Sequence, residues 1–311
     1  MNTADRRLSA RLYRWLFARR KTPYAQGAYR MYGALRRLDR PVFVIGMTRS
    51  GTTVFSKTLA QTPELLNWSE ANRMWDPVGY PFEETKVDRP QWLLDPQGYM
   101  DSTFETAGMA YYAAIPGICA LHFDVHRGQA TRFMNKSPLN TLRVWKIAEL
   151  FPDARYVNLV RDPRAVLRSW FRHFGKKLNR KEGYGFVEQN GNTLYQLRDR
   201  TFTYDELLER FVHAYAYVLD RQITQFYDLP ADQHRLVRYE DFCADVHGTL
   251  KQVDATLQLD SKLRDWHAIP ANYENRNFKF RSEFSPGQIA RIEEVCGHIM
   301  DRFGYQREAV A

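Results

Sequence analysis

The residues best placed to do chemistry are glycines, hydroxyls and arginines grouped at the ends of two strand-like runs. The stretch GMTRSGTT, residues 46–53, follows the β-rich run PVFVIG and precedes a helical pattern in which Val54, Phe55 and Leu59 share a face until Pro63. A glycine-containing turn between strand and helix offers backbone N–H groups and a helix N-terminus to a phosphate. Gly46 and Gly51 have the separation found in nucleoside-triphosphatase phosphate loops, but Thr52 occupies the lysine position of such loops and the basic group is Arg49. A second run, ARYVNLV (154–160), ends in Arg161, where a nucleotide hydrolase usually carries an acid that helps hold magnesium, and continues as RDPRAVLRS to Ser169. Two cationic loops at strand ends point to a ligand with two separate anionic groups, bound without a metal.

The elements needed to position these loops are legible as an alternation. Besides PVFVIG and ARYVNLV, the apolar runs RFMN (132–135) and RLVRY (235–239) are separated by the helical patterns LNTLRVWKIAEL (139–150) and YDELLERFVHAYAYVLDRQITQFY (204–227). Strands alternating with helices predict an α/β fold, a single domain with a central parallel sheet flanked by helices. The span from about Asp76 to Arg132 is aromatic and rich in Pro and Gly without periodicity, so it is expected to form irregular or partly helical structure over the sheet's active edge. Residues 1–40 read as a basic amphipathic helical segment, with Leu8, Leu12, Trp15 and Leu16 at helical spacing, and residues 41–311 as the main domain. The favoured partner for that apolar face is the domain or a second subunit; an anionic membrane is the alternative.

Composition sets outer bounds. The 311 residues are 44% hydrophobic and 26% charged, with a net charge of +9, which suits a globular protein that attracts anions but does not choose among nucleotides, nucleic acid, glycans and lipid headgroups. Cys119, Cys243 and Cys296 are odd in number and far apart, so neither a disulfide framework nor a metal site is expected. The first residues lack the continuous apolar core of a secretory leader, and the longest uncharged stretch, 108–123, falls short of the roughly 20 apolar residues of a membrane span. A cytoplasmic location is expected, with peripheral membrane contact as its variant.

Arg49–Thr53 (RSGTT) together with Arg161–Ser169 (RDPRAVLRS) resembles the paired cofactor loops of the sulfotransferases that use 3'-phosphoadenosine-5'-phosphosulfate (PAPS). The resemblance runs by motif from Pro41 to Tyr239. It is more similar to the tyrosylprotein and bacterial branch than to the cytosolic phenol and steroid enzymes, which have lysine in place of Arg49. It implies a phosphate-loop-kinase-like sulfotransferase fold and transfer of a sulfuryl group from PAPS to a hydroxyl acceptor, leaving 3',5'-ADP, with no metal required. It also implies cofactor contacts from Arg49, Ser50, Gly51, Thr52 and Thr53, from Arg161 and Ser169 on the 3'-phosphate, and from Tyr239. Lys279 is the first candidate, and Arg281 the second, in the basic segment 274–286.

By the same resemblance Glu70, in WSEANR, is the general base, and Lys136, in FMNKSPL, stabilises the departing phosphate together with Arg49. Against this stands a structural role for Glu70 in the first turn of a helix capped by Ser69. His122 and His126 are alternative bases. Aromatic residues Trp75, Tyr80, Trp92, Tyr99, Phe104, Tyr111 and Tyr112 suit a sugar, a phenol, a lipid tail or a peptide tyrosine, or the core. A carbohydrate, glycolipid or small metabolite is the expected acceptor, and nucleic acid is not. The competing classes are a phosphate-loop nucleotide kinase, which magnesium dependence would reveal, and a non-catalytic basic module binding nucleic acid or acidic glycan.

Overall fold

The computed structural model describes residues 3–75, 96–97, 111–175, 177, 183–197 and 200–308. Two helices lead, α1 (Thr3–Ala18) and α2 (Pro23–Leu35), the latter started by a proline whose fixed φ suits a first helical turn. The alternating part follows: β1 (Val42–Ile45), α3 (Thr52–Leu59), β2 (Leu65–Ser69), α4 (Asn72–Trp75), α5 (Ile115–His126), β3 (Arg132–Lys136), α6 (Val144–Leu150), β4 (Arg155–Val160) and α7 (Pro163–Phe174). Three short strands, β5 (Tyr184–Gln189), β6 (Asn192–Leu197) and β7 (Arg200–Phe202), precede the long α8 (Tyr204–Tyr227). The chain closes with β8 (His234–Arg238), α9 (Tyr239–Ala244), α10 (Val246–Leu257), α11 (Pro286–Val295) and α12 (Gly297–Phe303).

The five-stranded sheet has the order β2-β3-β1-β4-β8 and is parallel throughout, as expected. Because side chains alternate across a strand, β1 splits its residues between two layers. Phe43 and Ile45 pack with Phe133, Tyr156, Tyr29 and Ile118 on one face, while Val42 and Val44 pack with Phe55, Leu159, Phe242 and Leu250 on the other. Parallel pairing puts every strand's carboxyl end on the same edge. The chain leaves β1 in one direction to reach β3 and β2 and in the other to reach β4 and β8, which opens a crevice at the ends of β1 and β4.

Three expectations need correction. The pattern at 139–150 is not one helix: a 3-10 turn (Pro138–Leu142) and α6 meet at Arg143, whose guanidinium is buried and donates to the Trp75 carbonyl (3.0 Å). The run 235–239 is strand only to Arg238, and Tyr239 opens α9. The apolar face of α1 is split: Tyr13 is buried and Leu16 and Phe17 pack inward, but Leu12 and Trp15 face out. Helix α2 packs on α5. It crosses α5 so closely that a Cβ on Gly117 would lie 1.8 Å from the Tyr29 carbonyl oxygen.

The antiparallel sheet β5-β6-β7 was not anticipated. It packs Tyr195, Leu197 and Phe202 into a third apolar cluster with Trp170 and Phe171 of α7 and Phe211 and Tyr215 of α8. Trp75, Tyr111 and Tyr112 are buried in the core, whereas Tyr80, Trp92, Tyr99 and Phe104 lie outside the described residues. Cys119, Cys243 and Cys296 are buried free thiols. Among the described residues no helix is long and apolar enough to cross a membrane.

Candidate active site

The loop leaving β1 is held from three sides. Trp170 of α7 donates through its indole N–H to the Thr48 carbonyl (3.0 Å), and Ser50 N–H closes a turn on the Met47 carbonyl (3.1 Å). Beneath the loop lies the ring of Tyr239. Gly51 has φ +90°, and a Cβ there would come within 2.3 Å of that ring, so both its conformation and its neighbour require glycine. Tyr239 also supports Arg161, whose guanidinium carbon sits 4.2 Å from the ring centroid. Burial first, then a hydrogen bond with Cys243, pushes the Tyr239 phenol up to about 12, so it remains neutral.

Adjacent strands bring Glu70 and Lys136 together. In the β2–β3 register Ser69 stands opposite Lys136, and the Glu70 N–H extends the ladder to the Lys136 carbonyl (2.6 Å). The Lys136 ammonium donates to Glu70 Oε1 (2.5 Å) and to Thr53 Oγ1 (3.1 Å) at the start of α3. Lys136 is fully buried, while the Glu70 side chain is half exposed, so the pair opens to solvent through its carboxylate. Glu70 precedes α4 rather than occupying its first turn. It has φ +51°, and Arg49 has φ +68°, a left-handed conformation uncommon for side-chain-bearing residues and concentrated at functional sites.

A cavity of about 630 Å³ joins these groups. Of the residues proposed from sequence, Arg49, Gly51, Thr52, Thr53, Glu70, Arg161 and Ser169 line it. Arg49 Nε donates to Ser169 Oγ (3.0 Å), and Arg161 Nη1 donates to the Arg49 carbonyl (3.0 Å), tying the two cationic loops together. Burial, then the neighbouring Arg161, lowers the pKa of Arg49, with Glu70 opposing. Ser50 is buried within the loop, Lys136 meets the cavity wall through Glu70 and Thr53, and Tyr239 lies under the loop.

Other candidates sit elsewhere. Lys279 and Arg281 belong to the 3-10 turn Asn277–Ser282 but do not line the cavity; Arg281 pairs with Glu308, and Asn277 is the residue of that turn that reaches Arg161 (2.9 Å to Nε). His122 stacks on Trp68 with centroids 3.7 Å apart and on His126 at 4.4 Å, and its Nδ1 is 2.9 Å from the Tyr13 hydroxyl. Burial, then His126, pushes His122 down to about 3, which holds the imidazole neutral. Neither histidine lines the cavity. Asp162, next to Arg161, caps α7 through the Arg164 N–H (2.9 Å) and pairs with the Arg164 guanidinium.

Sequence reading missed Thr48, Val54, Lys57, Thr58, Gln61 and Tyr273, which also line the cavity. Val54, Lys57, Thr58 and Gln61 recur at helical spacing beyond the loop, a signal that was available. Tyr273, bonded through its hydroxyl to Thr58 Oγ1 (2.9 Å), lies in no motif. The arrangement can hold two anionic groups, one at the loop and α3 N-terminus and one near Arg161 and Ser169, with an ammonium and a carboxylate between α3 and β3.

Comparisons with known proteins point to one family. Omega-hydroxy-beta-dihydromenaquinone-9 sulfotransferase Stf3 of Mycobacterium bovis is 24% identical, over 86% of this chain and 76% of its own. Protein-tyrosine sulfotransferase A of Caenorhabditis elegans is 30% identical over 41% of this chain and 32% of its own. The crystal structure of sulfotransferase STF9 from Mycobacterium avium has the same fold, with a TM-score of 0.54 at 15% identity over 89% of this chain and 80% of that one. The sulfotransferase family model matches residues 41–263, which include both cationic loops, Glu70 and Lys136, and the chain therefore belongs to the sulfotransferase family.

Proposed function

We propose that the protein transfers the sulfuryl group of PAPS to a hydroxyl carried by a lipid, a carbohydrate or a small metabolite. The observation that supports this most is the convergence of Arg49, Lys136, Arg161 and Glu70 around one cavity at the carboxyl edge of the sheet. Backbone N–H groups of the loop and the α3 N-terminus receive the 5'-phosphate, and Arg161 and Ser169 receive the 3'-phosphate. Tyr273, which lines the cavity, offers an aromatic surface for the base.

Glu70 accepts the acceptor's hydroxyl proton as that oxygen bonds to sulfur, and the bond between sulfur and the 5'-phosphate oxygen breaks. The charge left on 3',5'-ADP is taken up by Lys136 and Arg49. An entering phosphosulfate competes with Glu70 for the Lys136 ammonium, which releases the carboxylate for use as a base. The relative from Mycobacterium bovis is named for a hydroxylated menaquinone, which supports a lipid hydroxyl as the first acceptor class to screen. The kinase and basic-module alternatives do not survive the family assignment.

Calorimetric binding of 3',5'-ADP without magnesium, with 5'-AMP as the control, tests the donor. The expected result is a preference for 3',5'-ADP of at least about tenfold that disappears in Arg161→Ala, since a charge-assisted hydrogen bond contributes about 1.5–3 kcal/mol. Equal affinity for the two nucleotides would reject the reading.

A further inference from the structure

Helices α1 and α2 carry two features that the cavity does not use. Its charge is the first. Between residues 6 and 38 there are ten Lys and Arg and no Asp or Glu, against +9 for the whole chain, so the rest of the molecule is close to neutral and the positive potential is concentrated here. The second is the outward face. Leu12 is 53% exposed, Trp15 47%, Tyr24 53%, Met31 70% and Leu35 87%, which makes five of the ten large exposed apolar side chains among the described residues.

Two of these side chains meet where the helices adjoin. On α2, Tyr24, Ala28, Met31 and Leu35 fall on a single stripe, turned away from the face that holds the buried Ala25 and Tyr29. The rings of Trp15 and Tyr24, 6.0 Å apart, join it to α1, and the Arg19 guanidinium lies 4.5 Å over the Trp15 ring. Exposed Arg11, Arg14, Lys21, Arg30 and Arg37 are carried on the same two helices and the turns beside them, with Arg30 and Arg37 lining a neighbouring cavity. The core does not explain the stripe, because Tyr13, Ala25 and Tyr29 already supply the inward faces of both helices.

We propose that this outward face docks on an anionic lipid bilayer, with the apolar stripe at the headgroup boundary and the surrounding cations against lipid phosphates. Tryptophan and tyrosine suit that boundary because they combine an apolar ring with a polar atom. A second copy of the chain would set one concentrated positive surface against another. A nucleic acid would meet the charges but leave Met31 and Leu35 without an apolar partner. The inference is independent of the sulfuryl-donor reading, since the two use different residues.

Flotation of the full chain with phosphatidylcholine vesicles, with and without phosphatidylglycerol, tests it. Wild type is expected to partition onto the anionic vesicles and to be released by salt. Arg11→Gln/Arg14→Gln/Arg30→Gln should weaken this roughly a hundredfold, about fivefold for each cation. Leu12→Ser/Met31→Ser/Leu35→Ser should weaken it more than tenfold. Circular dichroism and melting temperature of both variants should match wild type, because all six side chains are exposed. No preference for anionic vesicles, or wild-type partitioning in both variants, would overturn the proposal. So would a dimer in sedimentation velocity that the serine variant dissociates, which would assign the face to a second copy. Nucleotide affinity measured in parallel reports on the donor reading separately.

Discussion

Two ion pairs on neighbouring elements are built for opposite ends. Asp254 on α10 and Arg264 are both buried and meet through two hydrogen bonds of 2.6 Å. The remaining donors of Arg264 bond to the carbonyls of Leu59 (2.8 Å) and Gln61 (3.2 Å), and Ser261 donates to Asp254 (3.1 Å). Every strong polar group there has a partner, so the pair clamps α10 and its following turn to the end of α3. Lys136 and Glu70 share a single contact, and the carboxylate is half exposed at a cavity. Both pairs satisfy a buried cation, but only the second can exchange its partner for a ligand at little structural cost.

That contrast is broken or sharpened by substitution. Glu70→Gln should lower kcat by roughly 10²–10⁴-fold, the range for loss of a general base, while 3',5'-ADP affinity is kept and the melting temperature hardly moves. A kcat within a few-fold of wild type would leave Glu70 as a structural partner of Lys136. Asp254→Ala should do the reverse, costing about 3–5 kcal/mol in urea denaturation through an uncompensated buried guanidinium, with nucleotide affinity per folded molecule unchanged. If it left stability intact, the clamp would be no clamp.

His122 shows a third way to bury an ionisable group, by keeping it neutral. Its folded pKa is near 3 against 6.5 when free, so the unfolded chain takes up this proton at higher pH than the folded one. Stability present above pH 6.5 is therefore lost as pH falls toward 3, by at most about 1.4 kcal/mol per pH unit. His122→Phe preserves a ring against Trp68 and should flatten that slope; an unchanged slope would place the proton uptake elsewhere.

Much of this layout was readable because it is local. The strands at 41–46, 132–135 and 154–160 and the 24-residue α8, with its capping box from Thr203 and Glu206, follow from periodicity and end signals within a few residues. The hairpin at Gln189 to Asn192 is equally local: Asn190-Gly191 has positive φ at both positions and is a strong turn signal. The two arginine-bearing loops could be read because glycine spacing and arginine position depend on backbone geometry over a few residues.

The sequence by itself determined the parallel sheet, the glycine-containing loop between strand and helix, and the surplus of positive charge. Tertiary structure alone decided that Lys136 meets Glu70, that Tyr239 lies under Gly51, and that Asn277 rather than Lys279 reaches Arg161. It also decided which face of α1 looks outward, since α1 has apolar residues on both. Each of these depends on strand register and helix packing between segments tens to hundreds of residues apart, and a one-residue slip of β2 would turn its side chains to the opposite face of the sheet.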